Sequence, residues 1–201
     1  RWNQLCRGRR QLVSLTTARE TDCAMESRMT AEEIKKLIRN VPDFPKPGIM
    51  FRDFTPLIAD ARGFAAVVDQ LAEPYLGKID AVVGIESRGF VVGAPVAYRL
   101  GVGLAIARKP GKLPFHTYDQ AYDLEYGSAT LQMHQDALAG KGRVLLVDDL
   151  LATGGTAAAA LQLVRKLGGN VIGCAFVVEL DALKGRDRLA PVNCFSLIHY
   201  D

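Results

Sequence analysis

Along this chain, short unbroken apolar runs alternate with stretches in which apolar residues return every three or four positions. The runs lie at Asp80 to Ile85, Val102 to Ala107, Arg143 to Val147, Val171 to Val178 and Val192 to Ile198. Each is short and nearly free of polar residues, which predicts strands covered on both faces rather than half-solvated ones. Between them, helical spacing runs from Ala61 to Leu76, from Gly89 to Leu100 with Gly101 as a stop, and from Thr156 to Leu167 before Gly168 and Gly169. Strands and helices in alternation predict an α/β domain built on a parallel sheet.

Other segments are less regular. Thr30 and Glu33 form a capping-box pattern, followed by Ile34, Leu37, Ile38 and Val41 at helical spacing. Pro42, Pro45 and Pro47 end that helix and open a stiff extended segment, PDFPKPGIMFRDFTP. RKPGKLPFHTYDQAYD reads as a long loop, LEYGSATLQMH as a strand or hairpin near the surface, and KGRDRLA as a short helix. No repeat or low-complexity tract interrupts the pattern.

Composition narrows the class. At 201 residues the chain suits one domain, and a formal net charge of +3 gives no basic excess for a bulk nucleic-acid or membrane binder. No apolar run approaches bilayer length. Cys6, Cys23, Cys174 and Cys194 make no CxxC pair, and the last two sit in apolar runs. Reduced buried thiols, and hence a reducing compartment, follow from that placement. Residues 1–28 carry several arginines and no sustained period. They read as a disordered appendage, whether tag, translated upstream sequence or targeting segment. Arg and Ser/Thr favour the last, while Glu20, Asp22 and Glu26 count against it. The single domain is expected over residues 29–201.

The chemistry concentrates in VLLVDDLLATGGT. Asp148 and Asp149 end an apolar run, and the turn Ala152, Thr153, Gly154, Gly155, Thr156 leads into a helix. In an open parallel sheet, ligands bind beyond the carboxyl ends of the strands. Two glycines let backbone N–H groups approach an anion, the threonines add hydroxyl donors, and the helix N-terminus adds partial positive charge. The turn lacks the Gly-Lys-Ser/Thr of a Walker A loop and is not GxGxxG. Carboxylates beside an anion cradle need donors of their own. The vicinal hydroxyls of a ribose supply two, and a hydrated Mg²⁺ fits as well. A ribose 5-phosphate satisfies both halves of the motif.

With that motif the chain resembles the type I phosphoribosyltransferases. PDFPKPGIMFRDFTP, GIESRGFVVGAPVA, ARKPGKLP, LEYG and VVELDALKGRDRLAP extend the likeness, in order and spacing, to the adenine branch over about residues 31–201. The resemblance implies a parallel sheet core flanked by helices, a small hood over the base and a mobile active-site loop. It implies transfer of the 5-phosphoribosyl group of 5-phosphoribosyl 1-diphosphate (PRPP) to adenine, giving AMP and diphosphate. Mg²⁺ dependence, a cytoplasmic homodimer and a place in purine salvage come with it.

The resemblance also assigns residues. Arg88, in the loop after Ile85, faces the diphosphate, and a cis peptide between Glu86 and Ser87 is expected there. Arg108, Lys109 and Lys112 form a second basic cluster for the same group, one member of which can reach a neighbouring subunit's site. Glu125 matches the catalytic acid of the mobile loop, able to manage the purine's proton as N9 attacks C1′. Tyr122 and Tyr126 either close over the site or pack. Met50, Phe51 and Arg52 are expected to meet the base through main-chain contact, stacking and approach to a ring nitrogen. Met50 stands where the family usually has a small β-branched residue. His116, His134 and His199 show no metal-ligand spacing and read as structural or surface residues. A 6-oxopurine or xanthine enzyme and a non-catalytic PRPP-sensing regulator remain as alternatives on the same scaffold.

Overall fold

The computed structural model describes residues 28–123 and 128–201. Apart from Arg28, the appendage expected over residues 1–28 lies outside them. So do Glu125, Tyr126 and their neighbours Leu124 and Gly127.

The chain opens with α1 (Ala31–Lys35), whose capping box is complete: Thr30 Oγ1 accepts from Glu33 N–H, and the Glu33 carboxylate accepts from Thr30 N–H. This helix ends earlier than its apolar spacing predicts. Val41 lies instead in β1 (Arg39–Val41), paired antiparallel with β2 (Phe51–Asp53) across the proline-rich bend. Short-range ladder bonds to β2 outcompete another helical turn there. The bend contains a cis Phe44–Pro45 peptide and a left-handed Gly48, whose N–H donates to Asp43 Oδ1 at 2.8 Å. Helices α2 (Thr55–Ala59) and α3 (Ala61–Ala72) follow.

Five strands form the parallel core. They are β3 (Ala81–Ile85), β4 (Gly103–Ala107), β7 (Arg143–Leu151), β8 (Asn170–Leu180) and β9 (Cys194–Tyr200), in the spatial order β4-β3-β7-β8-β9. All four pairings are parallel, as the unbroken apolar runs require. One face packs on α1, α3 and α4 (Arg88–Leu100), the last stopped by left-handed Gly101. The other face packs on α5 (Gly155–Lys166) and on a hairpin of β5 (Thr117–Asp123) and β6 (Ser128–His134).

Two departures from the sequence reading bear on the site. Thr117 to Asp123 is a strand, not part of a loop. Its own residues carry no apolar alternation, but β6 buries Leu131 and Met133 beneath it and supplies the ladder. Strand β7 also runs past Val147 to Leu151, because β8 continues to Leu180 and offers partners: Asp148 pairs with Phe176 and Leu151 with Glu179. The acidic pair therefore sits inside the strand, and the turn starts at Ala152.

Candidate active site

A cavity of about 380 Å³ opens where β3 and β7 end. It is lined by the turn 152–156, by a carboxylate floor of Asp148 and Asp149, and by Arg88 and Lys109. The turn's shape is dictated by backbone. Gly154 is left-handed at φ +79°, and a Cβ there would lie 2.4 Å from the carbonyl oxygen of Gly185, so only glycine fits. No side chain caps α5. Its first N–H groups, which lack intrahelical partners in any helix, face the cavity and suit an anion.

The acidic pair is held in place by a cation. Asp149 is 7% exposed, and its Oδ2 lies 3.0 Å from Arg88 Nε. Asp148 Oδ1 accepts from the backbone N–H of Asp149 at 2.9 Å. Burial first, and then the charge of Asp149, push Asp148 well above the ordinary carboxylate range. Burial also raises Asp149, with Arg88 pulling the other way. Both shifts disfavour the doubly charged pair, and the Arg88 guanidinium offsets part of that cost beside the anion cradle. A diol or a hard cation would supply what the carboxylates lack.

Arg88 links the acidic pair to β2 and to the residue at the start of α2. Its guanidinium carbon lies 5.4 Å from the Phe51 ring centroid and 5.8 Å from that of Phe54. The loop that carries it holds the expected cis peptide between Glu86 and Ser87. Glu86 is braced from behind: Arg108 donates to its carboxylate from Nε at 3.1 Å and Nη2 at 3.3 Å, and Lys109 N–H donates at 2.8 Å. Burial pulls the Glu86 carboxyl upward, but these hydrogen bonds overcome it and hold it below its ordinary value.

The structure brings together Arg88, Lys109, Asp148, Asp149, Ala152, Thr153, Gly154, Gly155 and Thr156 around one cavity. It does not bring in the Arg108 guanidinium, which is engaged by Glu86 and the Lys112 carbonyl. Lys112 itself is exposed and off the cavity wall. Met50, just before β2, is 46% exposed, and Phe51 packs edge-on against Phe44 with centroids 5.1 Å apart. The Arg52 guanidinium turns away: Nη1 donates to Asn40 Oδ1 at 2.5 Å, and its carbon lies 3.9 Å over the Tyr200 ring. Its Nε, buried, has no hydrogen-bond partner among the described residues.

Tyr122, left between two readings, lines the cavity. Ala129 and Leu131, which sequence reasoning missed, line it as well. Their signal was the alternation of Ala129, Leu131 and Met133 on one face of β6. His199 stands 2.9 Å from Asp181 and within 4.0 Å of Glu179, on the exposed side of the sheet. Both Glu179 oxygens are taken by Arg186 at 2.6 and 2.7 Å, which commits that member of the cluster to a guanidinium.

The phosphoribosyl transferase domain family matches residues 54–201. An adenine phosphoribosyltransferase of Acidobacterium capsulatum is 57% identical over 173 residues, 86% of this chain and 96% of its own length. A crystal structure of adenine phosphoribosyltransferase from Thermoanaerobacter pseudethanolicus superposes with a TM-score of 0.82 at 51% identity, covering 85% of this chain and all of that one. The Saccharomyces cerevisiae enzyme, solved with an imino-altritol bisphosphate and adenine, superposes at 0.78 with 42% identity, covering 83% of this chain and 97% of that one.

Proposed function

This chain belongs to the adenine phosphoribosyltransferase family, and from that premise we propose that it transfers the 5-phosphoribosyl group of PRPP to N9 of adenine, giving AMP and diphosphate. The observation that carries the reading is the union, in one cavity, of a glycine-tight turn, two buried carboxylates and Arg88.

In this reading the 5′-phosphate accepts hydrogen bonds from the backbone of residues 153–156 and the two threonine hydroxyls. The ribose hydroxyls donate to Asp148 and Asp149. As the bond from C1′ to diphosphate breaks, positive charge grows on the sugar and negative charge on the leaving group. Arg88 and Lys109 stand where they stabilise the latter, so positioning and charge stabilisation supply most of the rate. Arg108 acts through Glu86, holding the 86–88 loop in place rather than touching diphosphate. Glu125 takes up the purine's proton traffic. The carboxylate floor has the oxygen donors that suit Mg²⁺, which would reach the site with PRPP. Once bound, that ion adds positive charge at the diphosphate.

Adenine enters the reading through the Saccharomyces cerevisiae relative solved with that base. The β1–β2 hood would meet it with main chain around Met50 and Arg52 and with the Phe51 ring. A donor at the 6-position matches an acceptor there, and a 6-oxopurine would leave that acceptor unpaired. A homodimer belongs to the same reading. Val91, Leu104 and Tyr98, the last 88% exposed, leave an apolar edge along α4 and β4, and Lys112 is free to reach across it. The domain spans residues 29–201, with Met29 packed on the core. Its placement is the cytoplasm, where the free thiols of buried Cys174 and half-buried Cys194 stay reduced. No helix among the described residues is long and apolar enough to cross a membrane.

The test is conversion of radiolabelled adenine to AMP, with PRPP and Mg²⁺ each withheld in turn, and with hypoxanthine and guanine as competitors. Product should form only with all components, and neither 6-oxopurine should compete well. Product formation from hypoxanthine at comparable efficiency would replace the reading with the 6-oxopurine one. In the same assay Glu125→Ala should lower turnover far more than PRPP affinity, and equal losses would remove Glu125 from its role.

A further inference from the structure

The turn 152–156 does not stand alone. Behind it runs the segment Gly185–Arg188, a single 3-10 turn that the reaction does not use. The two backbones touch, with the Leu151 side chain packed against Gly185 beside them. A Cβ on Gly154 would lie 2.4 Å from Gly185 O, and a Cβ on Gly185 would lie 2.3 Å from Ala152 O. Real Cβ atoms do not come that close to backbone oxygen. Gly185 is outside the left-handed region, so its requirement is space alone. Any side chain there must push Ala152, and with it the turn.

Contact this close needs something to fix the wall. Arg186, the next residue, supplies it with a bidentate fork: Nε donates to Glu179 Oε1 at 2.6 Å and Nη2 to Oε2 at 2.7 Å, while Nη1 donates to the Cys194 carbonyl at 2.8 Å. Glu179 is 3% exposed, and in the sheet register it lies beside Leu151, the last strand residue before the turn. The anchor of the wall and the root of the turn are therefore neighbours on adjacent strands. Burial pulls Glu179 upward, but the Arg186 fork overcomes it and holds the carboxyl below its ordinary value, so the pair stays ionised at neutral pH. Since the guanidinium is spent on Glu179 and Cys194, it is not offered to a ligand.

We infer that the Arg186–Glu179 pair, acting through Gly185, is a positioning device for the phosphate turn: it holds a backbone wall against residues 152–154 and thereby sets the affinity for the sugar phosphate. Neither residue touches the substrate. Their effect should fall on the phosphate end of the cavity and leave the base end alone, a split that general loss of stability would not produce. The inference rests on the proposed role of the turn.

The experiment titrates the full chain with ribose 5-phosphate by calorimetry and measures KM for PRPP and for adenine separately, with thermal unfolding as the fold check. Gly185→Ala should weaken ribose 5-phosphate and raise the PRPP KM roughly tenfold or more, as an overpacked contact does, while the adenine KM stays within about twofold. Arg186→Lys keeps the charge but loses the fork, and should show the same split at smaller size. Arg188→Ala, exposed on the same turn, should change neither. Wild-type phosphate affinity in both Gly185→Ala and Arg186→Lys would overturn the inference, as would equal losses for PRPP and adenine. If Gly185→Ala shows no cooperative unfolding, Arg186→Lys decides alone. A wild-type chain that fails to bind ribose 5-phosphate would instead sink the reading of the turn itself.

Discussion

The turn 152–156 and the β1–β2 hairpin, proposed here to meet the phosphate and the base, are built in contrasting ways. The turn is backbone packed on backbone, glycine against glycine, rooted in a central strand whose residues Val144 to Val147 are fully buried. The hood is a pair of three-residue strands at the periphery, with Met50 46% and Phe44 51% exposed, held by side chains that lean on each other. A phosphate has one shape and one charge, and fixed amide donors recognise it at no reorganisation cost. A base must enter, be read and leave as nucleotide, which a loosely seated hairpin permits. Changes at the turn should therefore act in large steps, and changes at the hood in small ones.

The largest step is expected at Gly154. Gly154→Ala meets both a left-handed φ and a Cβ contact of 2.4 Å with Gly185 O. Overpacking of this kind costs about 1–3 kcal/mol, and the backbone strain adds to it. The PRPP KM should rise on the order of 100-fold, with the adenine KM little changed. Steady-state kinetics with each substrate varied in turn decides it. A variant with near-normal PRPP use would mean that the turn is as pliable as the hood, and the contrast would be lost.

This contrast also marks what the sequence could say. The parallel sheet was legible because strand stretches buried on both faces must be apolar, and residues 81–85, 144–147 and 171–178 are. The backbone turn at 152–156 was legible because Gly154, Gly155 and the threonines are local in sequence. The hood was not. Val41 carries helical spacing with Ile34 and Ile38, yet belongs to β1, because its partner lies beyond a proline bend that periodicity does not see. That Arg52 would reach Asn40 and Tyr200, the latter far along the chain, was equally out of sight. Strand β5 was hidden for the same reason, since its pairing partner, not its own pattern, makes it a strand. Arg108 shows the finer limit: its charge was visible, but not that Glu86 would claim it.

Asp148 sharpens the comparison from the electrostatic side. Its carboxyl is raised by burial and by Asp149, so the native state holds the proton more tightly than the unfolded chain. Stability is therefore lost, not gained, as pH climbs from the ordinary carboxylate value through the raised one. Asp148→Asn removes that penalty and keeps an oxygen for the Asp149 N–H. The unliganded variant should melt higher than wild type at neutral pH, with the gap closing in acid. PRPP affinity should fall roughly tenfold, the size of one charge-assisted hydrogen bond. Melting curves across pH, set beside PRPP KM, test both signs together. Destabilisation at neutral pH would show that Asp148 is already satisfied without ligand.

The smallest effect is expected at the hood's latch. Tyr200, at the end of β9, receives the Arg52 guanidinium at 3.9 Å and the Lys35 ammonium at 4.4 Å from its ring centroid, while Lys35 Nζ also donates to His199 O at 2.7 Å. One ring thus ties β2 to the core sheet. A stacked cation of this kind is worth about 0.5–1 kcal/mol at a partly exposed site. Tyr200→Leu removes the π face but keeps apolar bulk, so the adenine KM should rise about two- to fivefold while the PRPP KM holds. Tyr200→Phe keeps the face and should behave as wild type, which separates stacking from the hydroxyl. If Tyr200→Leu raised the PRPP KM as much as the adenine KM, hood and turn would be one mechanical unit, and their different construction would have no functional consequence.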